Sequence, residues 1–140
     1  MKSSLEALRD AEKIQKAALM KITKKYGLTI AEWQLLSTMM EGFDTQDKLS
    51  AETGLDTSTL SRQLKSILAK EYVDKVATGR DHRQLVYTVL TTGSDAVTNI
   101  NGEYKNLEDT IFDKWSNEEV NMLRILLNRL EKSMTRVTEL

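Results

Sequence analysis

Apolar residues recur at steps of three and four along most of this chain, and the pattern breaks between Glu71 and Thr91. A three-to-four period is that of a helix with one buried face. Inside the break, Tyr72–Ala77 and Leu85–Leu90 are rich in β-branched and aromatic residues, and the polar run Thr78-Gly79-Arg80-Asp81-His82-Arg83-Gln84 separates them. Two such runs around a polar stretch predict a hairpin with a long charged tip. The expected fold is therefore mainly α with one small β-hairpin. The 140 residues contain no proline and show no shift in composition, which points to a single domain able to bury its own core.

The helices can be placed by their caps. Leu8, Ala11, Gln15, Ala18 and Ile22 define a helix from Leu5 to about Tyr26, closed by Gly27 in a left-handed cap. Thr29 offers a side-chain oxygen to start a second helix, with Trp33, Leu36, Met39 and Met40 inside, ending near Gly42. A short helix from Thr45 to Thr53 is closed by Gly54. Another follows Asp56 or Thr57 and carries Leu60, Leu64, Ile67 and Leu68 on one side. After the hairpin, Val97, Ile100, Tyr104, Leu107 and Ile111 keep the spacing of a helix–helix seam. Ser116 and Glu119 have the form of a capping box for a last helix. Its apolar face, Val120, Leu123, Leu126, Leu127, Leu130, Met134 and Val137, exceeds what a surface helix of a small domain buries alone. The first and the last two helices are expected to pack against a second copy of the chain.

Composition removes several functions. There is no cysteine, so no disulfide framework, thiolate metal site, cysteine nucleophile or thiol redox sensor is expected. The single histidine makes a metal site improbable on its own, and no metal or cofactor is expected. The N-terminus has neither a signal-peptide core nor a membrane-length run, which predicts a cytoplasmic protein without membrane attachment. No glycine-rich phosphate loop or nucleophile motif is present, so no enzyme is expected. The net charge of −1 argues weakly against nucleic acid, but the distribution is uneven. Residues 57–83 hold six basic and three acidic groups, between acidic stretches at 27–56 and 84–140. A solvated face accounts for that equally well.

Leu49 to Lys70 reads as two helices joined by a three-residue turn, with small Ser50 placed where the helices approach. On the second helix Thr57, Ser58, Thr59, Ser61, Arg62, Gln63 and Lys65 form the outward surface. Hydroxyls and a helix N-terminus suit phosphate oxygens, while Arg62 and Gln63 have the forked donors that read guanine and adenine edges. A capped, solvated helix explains the same residues. The hairpin immediately downstream changes the balance, because Arg80 and Arg83 on a narrow tip can enter a minor groove. A surface turn in which Asp81 pairs with an arginine is the alternative.

The runs Gly54-Leu-Asp-Thr-Ser-Thr-Leu-Ser-Arg-Gln-Leu64, Val73-Asp-Lys-Val76, Arg80-Asp-His-Arg83 and Val89-Leu-Thr-Thr-Gly93 resemble the MarR family's recognition helix, first strand, wing and exit into the next helix. Upstream, Leu28-Thr29, Glu32-Trp33 and Leu35-Leu36 are similar to its second helix. The resemblance implies a winged helix-turn-helix region at 28–91, with dimerisation helices at 1–26 and 92–140. It further implies a homodimer on double-stranded DNA, most simply a repressor on a pseudo-palindromic operator. The family's Asp-x-Arg wing motif falls on Asp81 and Arg83, with Arg80 and His82 beside them. Glu71 stands where the family usually has glycine, Lys75 where it favours arginine, and His82 where arginine is common. By analogy a small-molecule effector would occupy a cleft lined by Ile22, Trp33, Leu36 and Tyr104, residues that core packing would also explain. A dimeric protein-interaction module that has lost DNA binding is the competing expectation.

Overall fold

The computed structural model describes residues 1–81 and 83–139. Among them the order of elements is α1 (Ser4–Lys25), α2 (Ile30–Met40), α3 (Gln46–Thr53), α4 (Thr57–Ala69), β1 (Val73–Thr78), β2 (Gln84–Val89), α5 (Thr91–Ile111) and α6 (Asn117–Thr138). The chain forms two compact units, Met1–Tyr104 and Lys105–Leu140, with the boundary inside α5.

The first unit is built on a leucine-rich core. Leu35, Leu36, Leu49, Leu60, Leu64, Ile67 and Ile100 are almost wholly buried, so α2, α3, α4 and the first half of α5 share one interior. The buried face of α2 is Glu32, Leu35, Leu36 and Met39, whereas Met40, expected inside, is 47% exposed. Met40 is the last residue of the helix and falls at the edge of the face that Leu36 and Met39 bury. Gly27 (φ 69°) closes α1 as expected: its N–H reaches Lys24 O at 3.1 Å and the Leu28 N–H reaches Thr23 O at 3.1 Å. That pair of bonds uses the last free carbonyls of the helix.

The hairpin is antiparallel, registered from Val73↔Val89 to Thr78↔Gln84. Each strand is shifted one residue toward the tip from the apolar runs, so that β1 ends at Thr78 and β2 begins at Gln84. The base is tied down by the Tyr87 N–H on Asp44 O at 2.7 Å and the Leu90 N–H on Tyr72 O at 3.0 Å. Val73 and Tyr87 are buried, while Lys75 and Val76 point to solvent.

In the second unit, Phe112 and Trp115 meet edge to face, with ring centroids 5.0 Å apart. Ser116 and Glu119 form the expected capping box at the start of α6: Glu119 N–H donates to Ser116 Oγ at 3.1 Å and Ser116 N–H to Glu119 Oε1 at 2.9 Å. No residue of α6 is buried, and Met122, Ile125, Leu126, Leu127, Met134 and Val137 are all exposed.

Candidate nucleic-acid interface

Helices α3 and α4 meet through the turn Gly54-Leu55-Asp56. Gly54 takes φ 71° and donates its N–H to Ser50 O at 2.9 Å, and the Ser50 hydroxyl donates to Leu55 O at 3.2 Å. Ser50 thus fastens the turn as its small size and position suggest. Asp56 caps α4, accepting the Thr59 N–H at 2.7 Å and the Ser58 hydroxyl at 2.9 Å. The backbone N–H of Thr59, first in effect, and the Ser58 hydroxyl hold its carboxyl below the usual carboxylate range. The start of α4 is therefore occupied by a side-chain anion, and Ser58 already spends its proton there. Phosphate binding at this helix start is less open than the run of hydroxyls suggests.

Thr57, Ser58, Ser61, Arg62 and Lys65 are exposed along α4, as expected. Ser61 accepts from Gln46 Nε2 at 2.8 Å, which leaves its own proton free to donate outward. Arg62 rests against Thr59 through Nη2 at 3.4 Å. Thr59 and Gln63 depart from the expected outward face, because both are half-buried. The Gln63 Oε1 is shut away from solvent without a hydrogen-bond partner among the described residues. The stripe that faces fully outward is Ser58, Ser61, Arg62 and Lys65.

At the hairpin tip Arg80, Asp81 and Arg83 are exposed. Asp81 accepts the Arg83 N–H at 3.3 Å, and its second oxygen lies 3.6 Å from Arg83 Nε. The aspartate braces the turn and steers the arginine without covering it: the Arg83 side chain stays 86% exposed. Both sequence readings of Asp81, brace and ion-pair partner, describe one contact. His82 lies outside the described residues.

Glu71 adopts φ 61°, so the left-handed position that ends α4 is kept without a glycine. Its N–H bonds Leu68 O at 3.0 Å and the Tyr72 N–H bonds Ile67 O at 3.1 Å, repeating the closure seen at Gly27.

The four residues expected around an effector cleft divide between core and surface. Ile22 and Leu36 are core residues, 8% and 0% exposed, and take no part in the lining of the cleft at Trp33 and Tyr104. Trp33 and Tyr104 line an open cleft of about 1200 Å³ whose walls include Lys16, Leu19, Met20 and Lys70. Their rings lie 6.2 Å apart, and each polar end is held, Trp33 Nε1 donating to Asn101 Oδ1 at 3.0 Å and Gln15 Nε2 to the Tyr104 hydroxyl at 2.6 Å.

The sequence reading named Glu32 only as part of the second helix and missed its role; it is 4% exposed. It closes a capping box with Thr29 and accepts from Ser66 Oγ at 2.6 Å and Lys70 Nζ at 2.8 Å. Burial, the largest single influence, raises its pKa, but the bonds from Lys70, Ser66 and the Thr29 N–H together outweigh it and the net shift is downward. The signal was in the sequence: Thr29-x-x-Glu32 has the same spacing as Ser116-x-x-Glu119.

Two short helices meeting at a left-handed glycine, followed by a braced hairpin, define a winged helix-turn-helix protein. Comparison with known proteins agrees. The MarR family model matches residues 26–84. Over 93% of this chain and 98% of the other, the fold superposes on Escherichia coli MarR at TM-score 0.72 and 17% identity. A MarR-family transcription regulator gives TM-score 0.87 at 16% identity, covering 97% of this chain and 91% of that one. Staphylococcus aureus MepR, solved as a DNA complex, gives 0.74 at 16% identity, covering 94% and 96%. No curated protein matches the sequence. The chain has the winged helix-turn-helix fold of these structures, and its residues 26–84 match the MarR family model.

Proposed function

We propose that this protein is a sequence-specific DNA-binding transcription regulator that represses by occupying a pseudo-palindromic operator as a homodimer, and that a small molecule in the Trp33–Tyr104 cleft releases it. The observation that carries the reading is the pairing, on one winged unit, of an exposed Ser61-Arg62-Lys65 stripe on α4 with a braced, exposed Arg83 at the wing. The stripe suits a major groove and phosphates; a single arginine on a narrow tip suits a minor groove. That relatives of this fold were solved with DNA, MepR and E. coli MarR with operator DNA, supports it. DNA contact is assigned to Thr57, Ser58, Ser61, Arg62, Lys65, Arg80, Asp81 and Arg83, with Thr59 and Gln63 in supporting positions.

In this reading residues 28–91 bind DNA, while 1–26 and 92–140 hold the dimer. The exposed apolar residues of α6 supply a reason for a second copy to cover them. Two recognition helices would then enter major grooves about 10 base pairs apart. The cytoplasm is the matching compartment, and among the described residues no helix is long and apolar enough to cross a membrane.

Selection of bound sequences from a random duplex pool, with the solution mass measured in parallel, tests the proposal. A two-fold motif enriched by a dimer supports it. A dimer that binds no duplex, even random sequence at low salt, refutes it and favours a protein-interaction module, which the Asp56 carboxylate at the start of α4 and the acidic 27–56 stretch would suit.

A further inference from the structure

Ser61 is the serine of α4 whose proton the protein does not use. Ser58 donates to Asp56 Oδ1 at 2.9 Å and Ser66 to Glu32 Oε2 at 2.6 Å, whereas Ser61 donates to no group among the described residues. Nor does it turn back on its own helix, as Ser37, Thr38 and Thr53 do by donating to the carbonyl four residues earlier. It acts instead as an acceptor, 2.8 Å from Nε2 of Gln46 on α3. A hydroxyl has one proton and two lone pairs, so an oxygen already supplied by an amide N–H still has its proton to place elsewhere. The Gln46 end of this bond stands on a fixed root. It opens α3 directly after Thr45, whose Oγ1 accepts the Lys48 N–H at 3.2 Å, and after Asp44, whose carbonyl accepts the Tyr87 N–H of the wing at 2.7 Å. Leu49, in the next turn of α3, is fully buried. Gln46 itself is half-buried and Ser61 is exposed, so the pair lies where protein meets solvent.

We propose that Gln46 is a positioning residue that sets the polarity of base reading by α4: by donating to Ser61 it keeps that hydroxyl a donor toward the major groove, so that the base opposite is not cytosine. The inference rests on the DNA-binding reading above and adds which base edge one position accepts. In the major groove guanine presents N7 and O6, adenine N7 and thymine O4 as acceptors, whereas cytosine presents only its N4 amino donor. Against cytosine the Ser61 proton is left without an acceptor in a desolvated interface, which costs more than a bond never offered. A phosphate oxygen would take the same proton but carries no sequence information, so the two partners differ in what a selected motif records.

The test repeats the random-duplex selection with the full-length wild type, Gln46→Glu and Gln46→Lys, and with Ser61→Ala in each of the three backgrounds, thermal melts confirming that each protein folds. A carboxylate only accepts, so the substituted glutamate takes up the Ser61 proton and leaves lone pairs outward; an ammonium only donates and preserves the wild-type arrangement. Wild type and Gln46→Lys should disfavour cytosine about 5-fold or more at one shared position of each half-site, and Gln46→Glu should favour cytosine there. Ser61→Ala should erase the preference at that position in every background and leave the rest of the motif in place. One motif common to all three forms of position 46 overturns the proposal, including the case in which Gln46→Glu binds every sequence more weakly by the same factor, as a phosphate contact predicts. A cytosine preference that survives Ser61→Ala also overturns it, because the side chain at position 46 would then read the base directly. A wild type that binds no duplex refutes the regulator reading and this inference with it, whereas an enriched motif indifferent to these substitutions refutes this inference alone.

Discussion

Replacing Glu71 by glycine should stabilise the protein. Glu71 sits at φ 61°, a region that costs an L-residue with a Cβ about 1–2 kcal/mol. What the position contributes to the fold is backbone: its N–H on Leu68 O at 3.0 Å, and its carbonyl accepting the Thr92 hydroxyl at 2.7 Å. Glycine keeps both. The Glu71 side chain is exposed and makes no hydrogen bond or ion pair among the described residues, so nothing offsets its removal. Against the relieved strain stands the greater freedom of glycine in the unfolded chain, about 0.5–1 kcal/mol. The net is a gain of about 0.5–1 kcal/mol, or roughly 1–4 °C in Tm for a chain of this size. Glu71→Ala removes the same carboxylate but keeps a Cβ at positive φ, and should stay within about 0.5 kcal/mol of wild type. Thermal and urea unfolding of the three proteins at one fixed concentration separates the cases, since assembly would make Tm concentration-dependent. A glycine variant less stable than wild type, or an alanine variant that gains as much, would refute the account of strain at this helix end.

Other expected outcomes follow from the same geometry. Gly93→Ala would place a Cβ 2.3 Å from the Tyr72 carbonyl oxygen, itself held by the Leu90 N–H at 3.0 Å, so the backbone must shift and unfolding should show a loss of about 1–3 kcal/mol; unchanged stability would mean this contact is looser than described. Arg83→Ala should cost about 1–3 kcal/mol of duplex affinity with an unaltered melt, whereas Arg62→Ala should relax base preference in the selected motif; normal affinity or unchanged preference removes the respective residue from the interface. Because the folded-state pKa of Glu32 is lowered, its contribution to stability is present above the ordinary carboxylate value near 4.5 and is lost as pH falls through the folded value. The stability gap between wild type and Glu32→Gln should therefore shrink on acidification through that range, and a gap independent of pH would show that the ionised form is not what holds α4.

The order of helices and hairpin was legible because each boundary is marked by local chemistry: Gly27 and Gly54 at left-handed closures, Ser116 and Glu119 at a cap. Burial within a helix was less legible. Gln63 lies beside Arg62 in sequence and looks equally polar, yet α4 turns it half inward, and periodicity does not resolve a residue at the edge of a face. The residues expected around a cleft divide for a related reason. Ile22, Trp33, Leu36 and Tyr104 are all apolar or aromatic, and only packing separates the two that close the core from the two that line a cavity. Glu32 was overlooked because a charged residue on an amphipathic helix is ordinarily placed outside. It is inside because four donor contacts from Thr29, Ser66 and Lys70 meet its two oxygens, and the latter two residues lie more than thirty positions away.

Tyr72 shows how the two halves of the candidate interface are kept in register. Its N–H closes the end of α4 on Ile67 O, its carbonyl accepts from Leu90 at the exit of the hairpin, and its hydroxyl donates to the Tyr26 carbonyl at the end of α1. Gly93 brings the start of α5 against the same carbonyl, closer than any side chain would permit. Recognition helix, wing base, α1 and α5 are thus joined through the polar groups of one residue, and Glu71 immediately before it sets the direction in which the chain leaves α4. A displacement of the C-terminal end of α4, such as the loss of the Glu32–Lys70 contact would permit, acts two residues from Tyr72 and so bears on the wing as well as on the helix.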